Sequence, residues 1–424
     1  MKRNIFALML VLAFLLTACG GKGTGGISVV RMWVHTNNAF IAGYEPLIAA
    51  YEASHPDVDI QLENFDYELY LQTLQTAMPA KEEADILQLF GTWTSQYYER
   101  LAPVPAEVMT IEQAQQTFYA APIGGYIVDG VLYGMPQEFN MEYGGVLVNK
   151  TLYEAAGLAY PPQWQTMADV VADALVLAKT DSAGMMTTAG FHFTSADPSS
   201  FSFLAGIKQR GGEYWNSDHT GFTFNTPEAR AQLQWMLDAV TAGVVDPVVF
   251  NDSTNFVIDA FFQGKVGIGY IGTWAIAEGQ NNFPDFADEW DYFYLPSNQG
   301  DPVFVADSGW GLTVSPNSKN QEIAWDFVKF VTADAANATQ WNIASGTIPA
   351  MTAVAQSAEI ASVMPWVPKA LDLLPFGQYL GNMPDRDLVV YEIIYPHILN
   401  VLQGVETVDQ ALQAIDTEAN STFR

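Results

Sequence analysis

The chain has 424 residues, 47 of them acidic against 17 basic, for a formal net charge of −30. Such a surface repels phosphate backbones and argues against nucleic acid as a partner. Apolar residues make up 49% of the chain, enough for a sizeable core, and the length suits about two or three domains.

Lys2 and Arg3 open the chain, and Ile5 to Leu16 follow as twelve unbroken apolar residues. Twelve helical residues span about 18 Å, short of the roughly 30 Å of a bilayer core. A basic start, a short apolar run and then small residues is the pattern of a secretory signal peptide, predicted here over residues 1–18. Cys19 is the chain's only cysteine, so it has no partner for an intramolecular disulfide. Leu16-Thr17-Ala18-Cys19 resembles the lipobox of bacterial lipoproteins, where the cysteine is acylated and becomes the new N-terminus. Residues 19–26 then supply the lipidated cysteine and a Gly-rich tether; seven such residues reach about 15 Å. No later run approaches about 18 apolar residues, so the mature chain is expected to be soluble apart from its lipid.

Ser28 to Val34 reads as a β-strand. Tyr44, Leu47, Ile48 and Tyr51 recur at helical spacing, with Pro46 expected in the helix's first turn. Val58, Ile60 and Leu62 alternate with polar residues, and Tyr67, Tyr70, Leu71, Leu74 and Met78 return to helical period. Ala84 to Phe90 is a third strand. This alternation predicts a parallel sheet covered by helices, with ligands beyond the carboxyl ends of its strands. Further helical stripes run through Met167 to Ala178, Leu233 to Val240 and Val408 to Ile415. Phe261 to Gly272 reads as a segment ending in a Gly-rich strand, Ser308 to Val314 as another strand, and Ile323 to Val331 as a helix.

No nucleophile elbow, phosphate loop or paired-histidine zinc motif occurs, and neither a cofactor nor a metal is expected. Gly267-Ile268-Gly269 and then Gly272 match a dinucleotide fingerprint, but no helix with the right charge pattern follows, and Gly-rich buried strands are common. Tryptophans do stand at loop-like positions: Trp33, Trp93, Trp274 and Trp310 each lie at a strand end. Sugars present flat C–H faces and a ring of hydroxyls, which suit aromatic faces and polar side chains. Trp235, Trp325 and Trp341 fall on helical stretches and read as core.

The order of local motifs resembles the extracellular solute-binding proteins of ABC importers, carbohydrate type, the relatives of maltose-binding protein. The resemblance is carried by 128–158 (VDGVLYGMPQEFNMEYGGVLVNKTLYEAAGL), 161–179 (PPQWQTMADVVADALVLAK), 261–276 (FFQGKVGIGYIGTWAI), 308–332 (SGWGLTVSPNSKNQEIAWDFVKFVT) and Gly346-Thr347-Ile348-Pro349-Ala350. Two positions depart from it: Gly91-Thr92-Trp93 stands where many relatives have an acidic residue, and Thr273 where many have proline.

The resemblance implies an α/β, two-lobed periplasmic-binding-protein fold of type II. Residues 27–137 plus 304–337 would form the N-terminal lobe, and 138–303 plus 338–424 the C-terminal lobe. Crossings are expected near Gln137–Asn140, Gly300–Val305 and Ala336–Asn342. The implied function is capture of a sugar or oligosaccharide by a monomeric, membrane-anchored, extracytoplasmic receptor that hands it to the permease subunits of an ABC transporter, without catalysis. Candidate ligand-binding residues are Trp33, His35, Asp66, Tyr67, Trp93, Glu138, Asn140, Trp274, Trp310 and Trp366, with Cys19 the lipidation site. Trp366 is included because relatives often supply an aromatic from the C-terminal segment. Alternatives are a secreted glycoside hydrolase using two carboxylates, a binder of a polyol, glycerol phosphodiester or peptide, and a lipoprotein adaptor for another protein.

Overall fold

The computed structural model describes residues 26–251, 257–286 and 289–423. The expected signal peptide and Cys19 lie outside the described residues.

The N-terminal half builds the first sheet. Strand β1 (Ser28–His35) pairs in parallel with β2 (Val58–Phe65), from Ser28 opposite Val58 to His35 opposite Phe65. Helix α1 (Asn38–Ser54) connects them. Its predicted stripe of Tyr44, Leu47, Ile48 and Tyr51 is buried, and the Asn37 side chain accepts from the amides of Ala39 and Phe40 to cap it. The cap starts the helix earlier than the periodicity suggests, so Pro46 lies in its interior rather than its first turn. Helix α2 (Tyr67–Ala80) leads to β3 (Ile86–Phe90), which lies on the other side of β1, again parallel. Helix α3 (Gly91–Tyr97) follows at once, placing Trp93 in its first turn.

Strand β4 (Gly134–Pro136) lies at the far edge of this sheet. The chain then leaves it through residues 137–144 and enters a second sheet at β5 (Gly145–Asn149). Helix α4 (Met167–Leu177) buries Met167, Val170, Ala174 and Leu177. The edge strand β6 (Lys179–Thr180) and β7 (Met186–His192) follow. Helix α5 (Ala196–Gln209) starts just beyond the carboxyl end of β7, and α6 (Pro227–Ala242) packs on it. The segment read as a Gly-rich strand divides in two. Phe261 and Phe262 end helix α7 (Val257–Phe262), and only β8 (Val266–Gly269) is strand. With β9 (Trp290–Tyr294) the second sheet runs β9-β5-β8-β7-β6, β8 parallel to β7 and antiparallel to β5.

Residues 295–309 lead back, and β10 (Phe304–Ala306) lies within them. Strand β11 (Trp310–Val314) enters the first sheet antiparallel between β3 and β4, completing the order β2-β1-β3-β11-β4. Helices α8 (Gln321–Thr332) and α9 (Ala335–Ser345) follow. The expected crossing at Ala336–Asn342 falls inside α9. That helix is unbroken because Asp334 caps its start and Gly346 its end, and Trp341 is buried against Phe40 and Tyr44 of α1. The change of side comes after Gly346. There Phe139 N–H donates to the Ile348 carbonyl at 2.8 Å and Ala350 N–H to the Gln137 carbonyl at 3.2 Å, so two connecting segments run side by side. Strand β12 (Gly377–Tyr379) pairs with β10, and α10 (Tyr395–Leu402) and α11 (Val408–Ser421) pack on the helices of the second sheet. The α/β alternation read from the sequence is thus present, split between two sheets.

Candidate functional site

A cavity of about 320 Å³ lies where the carboxyl ends of β1 and β3 meet the carboxyl ends of β7 and β8. It sits at the small end of the range for small-molecule sites. The first sheet contributes His35, which ends β1, Phe90, which ends β3, and Trp310, which begins the antiparallel β11. Tyr67 comes from the first turn of α2 and Phe40 from α1. The other side contributes Glu142 from the first connecting segment, Asp197 from the first turn of α5, and Trp274 and Glu278 from beyond β8. Arg386 and Tyr391 close the site from the C-terminal segment.

The ring of Trp310 is not available to a ligand face. His35 stacks on it at 4.1 Å with 11° between planes, and Phe90 at 3.9 Å with 25°. Two near-parallel rings that close to one indole must occupy opposite faces, since on one face they would overlap. Trp310 is therefore sandwiched and shows only an edge. Trp274 is half-buried and stands at the cavity wall. The neighbouring Gly272 is required by space: a Cβ there would fall 2.4 Å from both Glu142 Oε2 and Trp274 Nε1.

Burial holds the His35 imidazole neutral, its pKa lowered to about 4. Its Nδ1 lies 2.9 Å from the Gln88 amide oxygen, which fixes the tautomer with Nδ1 as donor. Gln88 in turn donates to the Tyr44 hydroxyl at 3.0 Å, and Tyr44 donates to Gln137 at the start of the first connecting segment. A buried hydrogen-bond chain thus links the cavity wall to the join between the sheets.

Arg386 is the electrostatic hub and is only 2% exposed. Its guanidinium contacts Asp307, lies 2.8 Å from Asp387 Oδ1 and 3.8 Å from Asp197, and stands 4.4 Å over the Tyr391 ring. Burial pushes the Asp307 carboxyl up to about 6 even so. Burial also pushes Glu142 well above the usual carboxylate range, with the Asp197 charge adding to it.

The ten candidate residues read from strand ends and resemblance divide by position. His35, Tyr67, Trp274 and Trp310 line the cavity. Trp33 does not: two residues short of the end of β1, it lies about 7 Å deeper in the sheet and packs on Phe65. Asp66 is exposed and makes no capping bond at the start of α2. Trp93 is buried behind Trp310, and its Nε1–H donates to Asp387 at 3.2 Å. Glu138 is fully buried in the join; its Oε1 accepts from Trp310 N–H at 3.1 Å, and burial raises its pKa to about 8. Asn140 donates to Glu142 at 2.7 Å, which orients that carboxylate. Trp366 lines a separate cavity of about 680 Å³ with Trp290 and Met364.

Strand-end reasoning missed Arg386, Glu142, Asp197, Tyr391 and Glu278. Glu142 lies four residues beyond Glu138 in the expected crossing, and Asp197 opens a helix just past a strand; both positions carried a usable signal. Arg386, in the turn-like Met383-Pro384-Asp385-Arg386-Asp387, carried none.

The two departures noted in the sequence find structural partners. Thr273 accepts from Met141 N–H through Oγ1 at 3.2 Å and donates its own N–H to the Met141 carbonyl at 3.4 Å. Proline could make neither bond. Trp93 stands where its indole N–H can meet Asp387, an interaction an acidic side chain would reverse.

Residues 38–338 match the family described as bacterial extracellular solute-binding protein. The chain belongs to this family. A binding protein of Brucella abortus is similar, 24% identical over 343 residues, covering 78% of this chain and 76% of that one. Among solved structures, the cyclic alpha-maltosyl-1,6-maltose binding protein from Arthrobacter globiformis superposes with a TM-score of 0.77. It is 20% identical, over 94% of this chain and 99% of that chain. An ABC substrate-binding protein from Listeria monocytogenes in complex with cycloalternan gives 0.75 at 22% identity, over 93% and 99%. The solute-binding fold is two-lobed, and its cleft is where the two sheets turn their strand ends toward each other. The relatives are binding proteins rather than enzymes.

Proposed function

We propose that this solute-binding protein captures a saccharide between its lobes and presents it to an ABC importer, held to the membrane by a lipid on Cys19. The observation that carries the reading is the cavity itself: carboxylates and a half-buried indole converge there from the ends of two sheets. Aromatic faces cover sugar C–H surfaces and carboxylates accept from hydroxyls. The sugars named for the Arthrobacter and Listeria proteins support the same ligand class. The lobes are assigned as 27–137 with 304–345, and 138–303 with the C-terminal segment beyond the 346–350 join. Contacts made only when both lobes touch the ligand favour the closed form.

The test is a melting screen of the full-length protein against a glycan library. A saccharide at about a hundred times its Kd stabilises by about 2.7 kcal/mol, which reads as a clear rise in melting temperature. Calorimetry should then show saturable binding with the sugar recovered intact. Release of a cleavage product would overturn the receptor reading, as would a library with no hit. Anchoring is read separately. Cys19→Ser is expected to leave the membrane fraction, and its retention there at the parental level would overturn the lipid assignment.

A further inference from the structure

The cavity carries an excess of one charge. Glu142, Asp197 and Glu278 line it, and among the described lining residues Arg386 is the sole Lys or Arg. His35 adds no charge, since its buried ring stays neutral. Arg386 is itself engaged by two further carboxylates, the buried Asp307 and the half-buried Asp387. Three carboxylates, Asp197, Asp307 and Asp387, thus surround one guanidinium, and Glu142 lines the same cavity. Asp197 Oδ1 is buried with no hydrogen-bond partner within the protein, and so is Oδ1 of Asn140, the residue that orients Glu142. Burial and mutual repulsion push Glu142, Asp197 and Asp307 upward despite the arginine.

The walls match this charge. Trp274 and Glu142 both crowd the space that a Cβ of Gly272 would fill, and Tyr391 and Tyr67 present further rings. Aromatic faces carry negative quadrupoles that attract cations, and carboxylates make charge-assisted bonds to ammonium groups. An anionic ligand would meet the opposite: surplus negative charge and a cation already paired.

We propose that the cavity is built for a saccharide bearing a protonated amine, its ammonium seated by the Glu142 and Asp197 carboxylates beside the Trp274 indole. This rests on the solute-binding reading above and adds the charge of the ligand.

The experiment uses sugars that differ only at one carbon. Glucose, N-acetylglucosamine and glucosamine, with their β-1,4-linked dimers, place a hydroxyl, an amide or an ammonium at the same position. Titration calorimetry on the full-length protein at about pH 7, where an amine with a pKa of about 7.7–8.0 is mostly charged, ranks the three. The amino sugar of one size should bind at least about tenfold tighter than both neutral partners. Asp197→Asn and Glu142→Gln should erase the preference. Glu278 is exposed at the rim, so Glu278→Gln keeps the fold and should weaken the amino sugar by about threefold. Neutral sugars binding as tightly as, or tighter than, the amino sugar would overturn the charge assignment and leave the receptor reading intact. No binding by any of the six would overturn it too, and the glycan library would then judge the receptor reading on its own.

Discussion

Replacing Trp310 by alanine separates a structural ring from a ligand-stacking one. Both faces of this indole are covered, by His35 at 4.1 Å and Phe90 at 3.9 Å, and only 4% of its surface is exposed. Trp310→Ala therefore removes a core side chain and leaves two rings facing a void. Substitutions of this kind cost about 3–5 kcal/mol. At about 2–4 °C per kcal/mol for a lobe-sized unit, melting should fall by roughly 10 °C without any ligand. Trp274→Ala is the matched control. Its ring is half-buried at the cavity wall, so melting should move by no more than about 3 °C. Affinity for a bound saccharide should drop about thirtyfold, the loss of a stacking contact of about 2 kcal/mol. Calorimetric melting of the ligand-free proteins followed by ligand titration measures both. A Trp310→Ala protein that melts within about 2 °C of its parent, yet binds as poorly as Trp274→Ala, would refute the sandwich argument.

Glu138 should impose a pH dependence on stability. Its folded pKa is raised from 4.5 to about 8 by burial, so between those values the folded state keeps a proton that the unfolded state has lost. Stability present below about pH 4.5 is lost as pH rises to about 8, by about 1.4 kcal/mol per unit. Glu138→Gln should flatten melting curves across that window; parallel curves for the two proteins would rule the residue out as the source. Gly272→Val meets no backbone strain, because φ −58° and ψ 139° suit any side chain. Its Cβ would displace Glu142 and Trp274, however, and ligand affinity should fall more than about tenfold; unchanged affinity would move the ligand away from that wall. Thr273→Pro removes two hydrogen bonds to Met141 and should cost about 1–3 kcal/mol in denaturant unfolding. A neutral result would mean that the connecting segment is held by its other contacts alone.

Local pattern carried much of the architecture. The stripe of Tyr44, Leu47, Ile48 and Tyr51 is legible because each element must bury one face, and that demand is written every three or four residues. The rule that ligands gather at strand ends brought His35, Tyr67 and Trp274 to the cavity, because parallel strands deliver their carboxyl ends to one edge; Trp310 reaches the same edge from the amino end of antiparallel β11. Depth along a strand was not legible to the same accuracy: Trp33 shares a face with His35 but sits two residues lower. What a ring faces was not legible at all. Trp310 is sandwiched because antiparallel β11 sets it opposite Phe90, a pairing across 220 positions of chain. The charge of the site was equally hidden. Forty-seven acids spread along the sequence name no cluster, and Arg386 lies in a turn whose neighbours are aspartates. Only folding brings Asp197 from a helix start and Asp307 from the return segment around that one guanidinium, and Glu142 from the first join to the same cavity. A cleft assembled from three such distant segments can acquire its charge preference by changes at positions that no local motif constrains. The fold is therefore the readable part of this protein, and the selectivity of the cleft is the part that has to be measured.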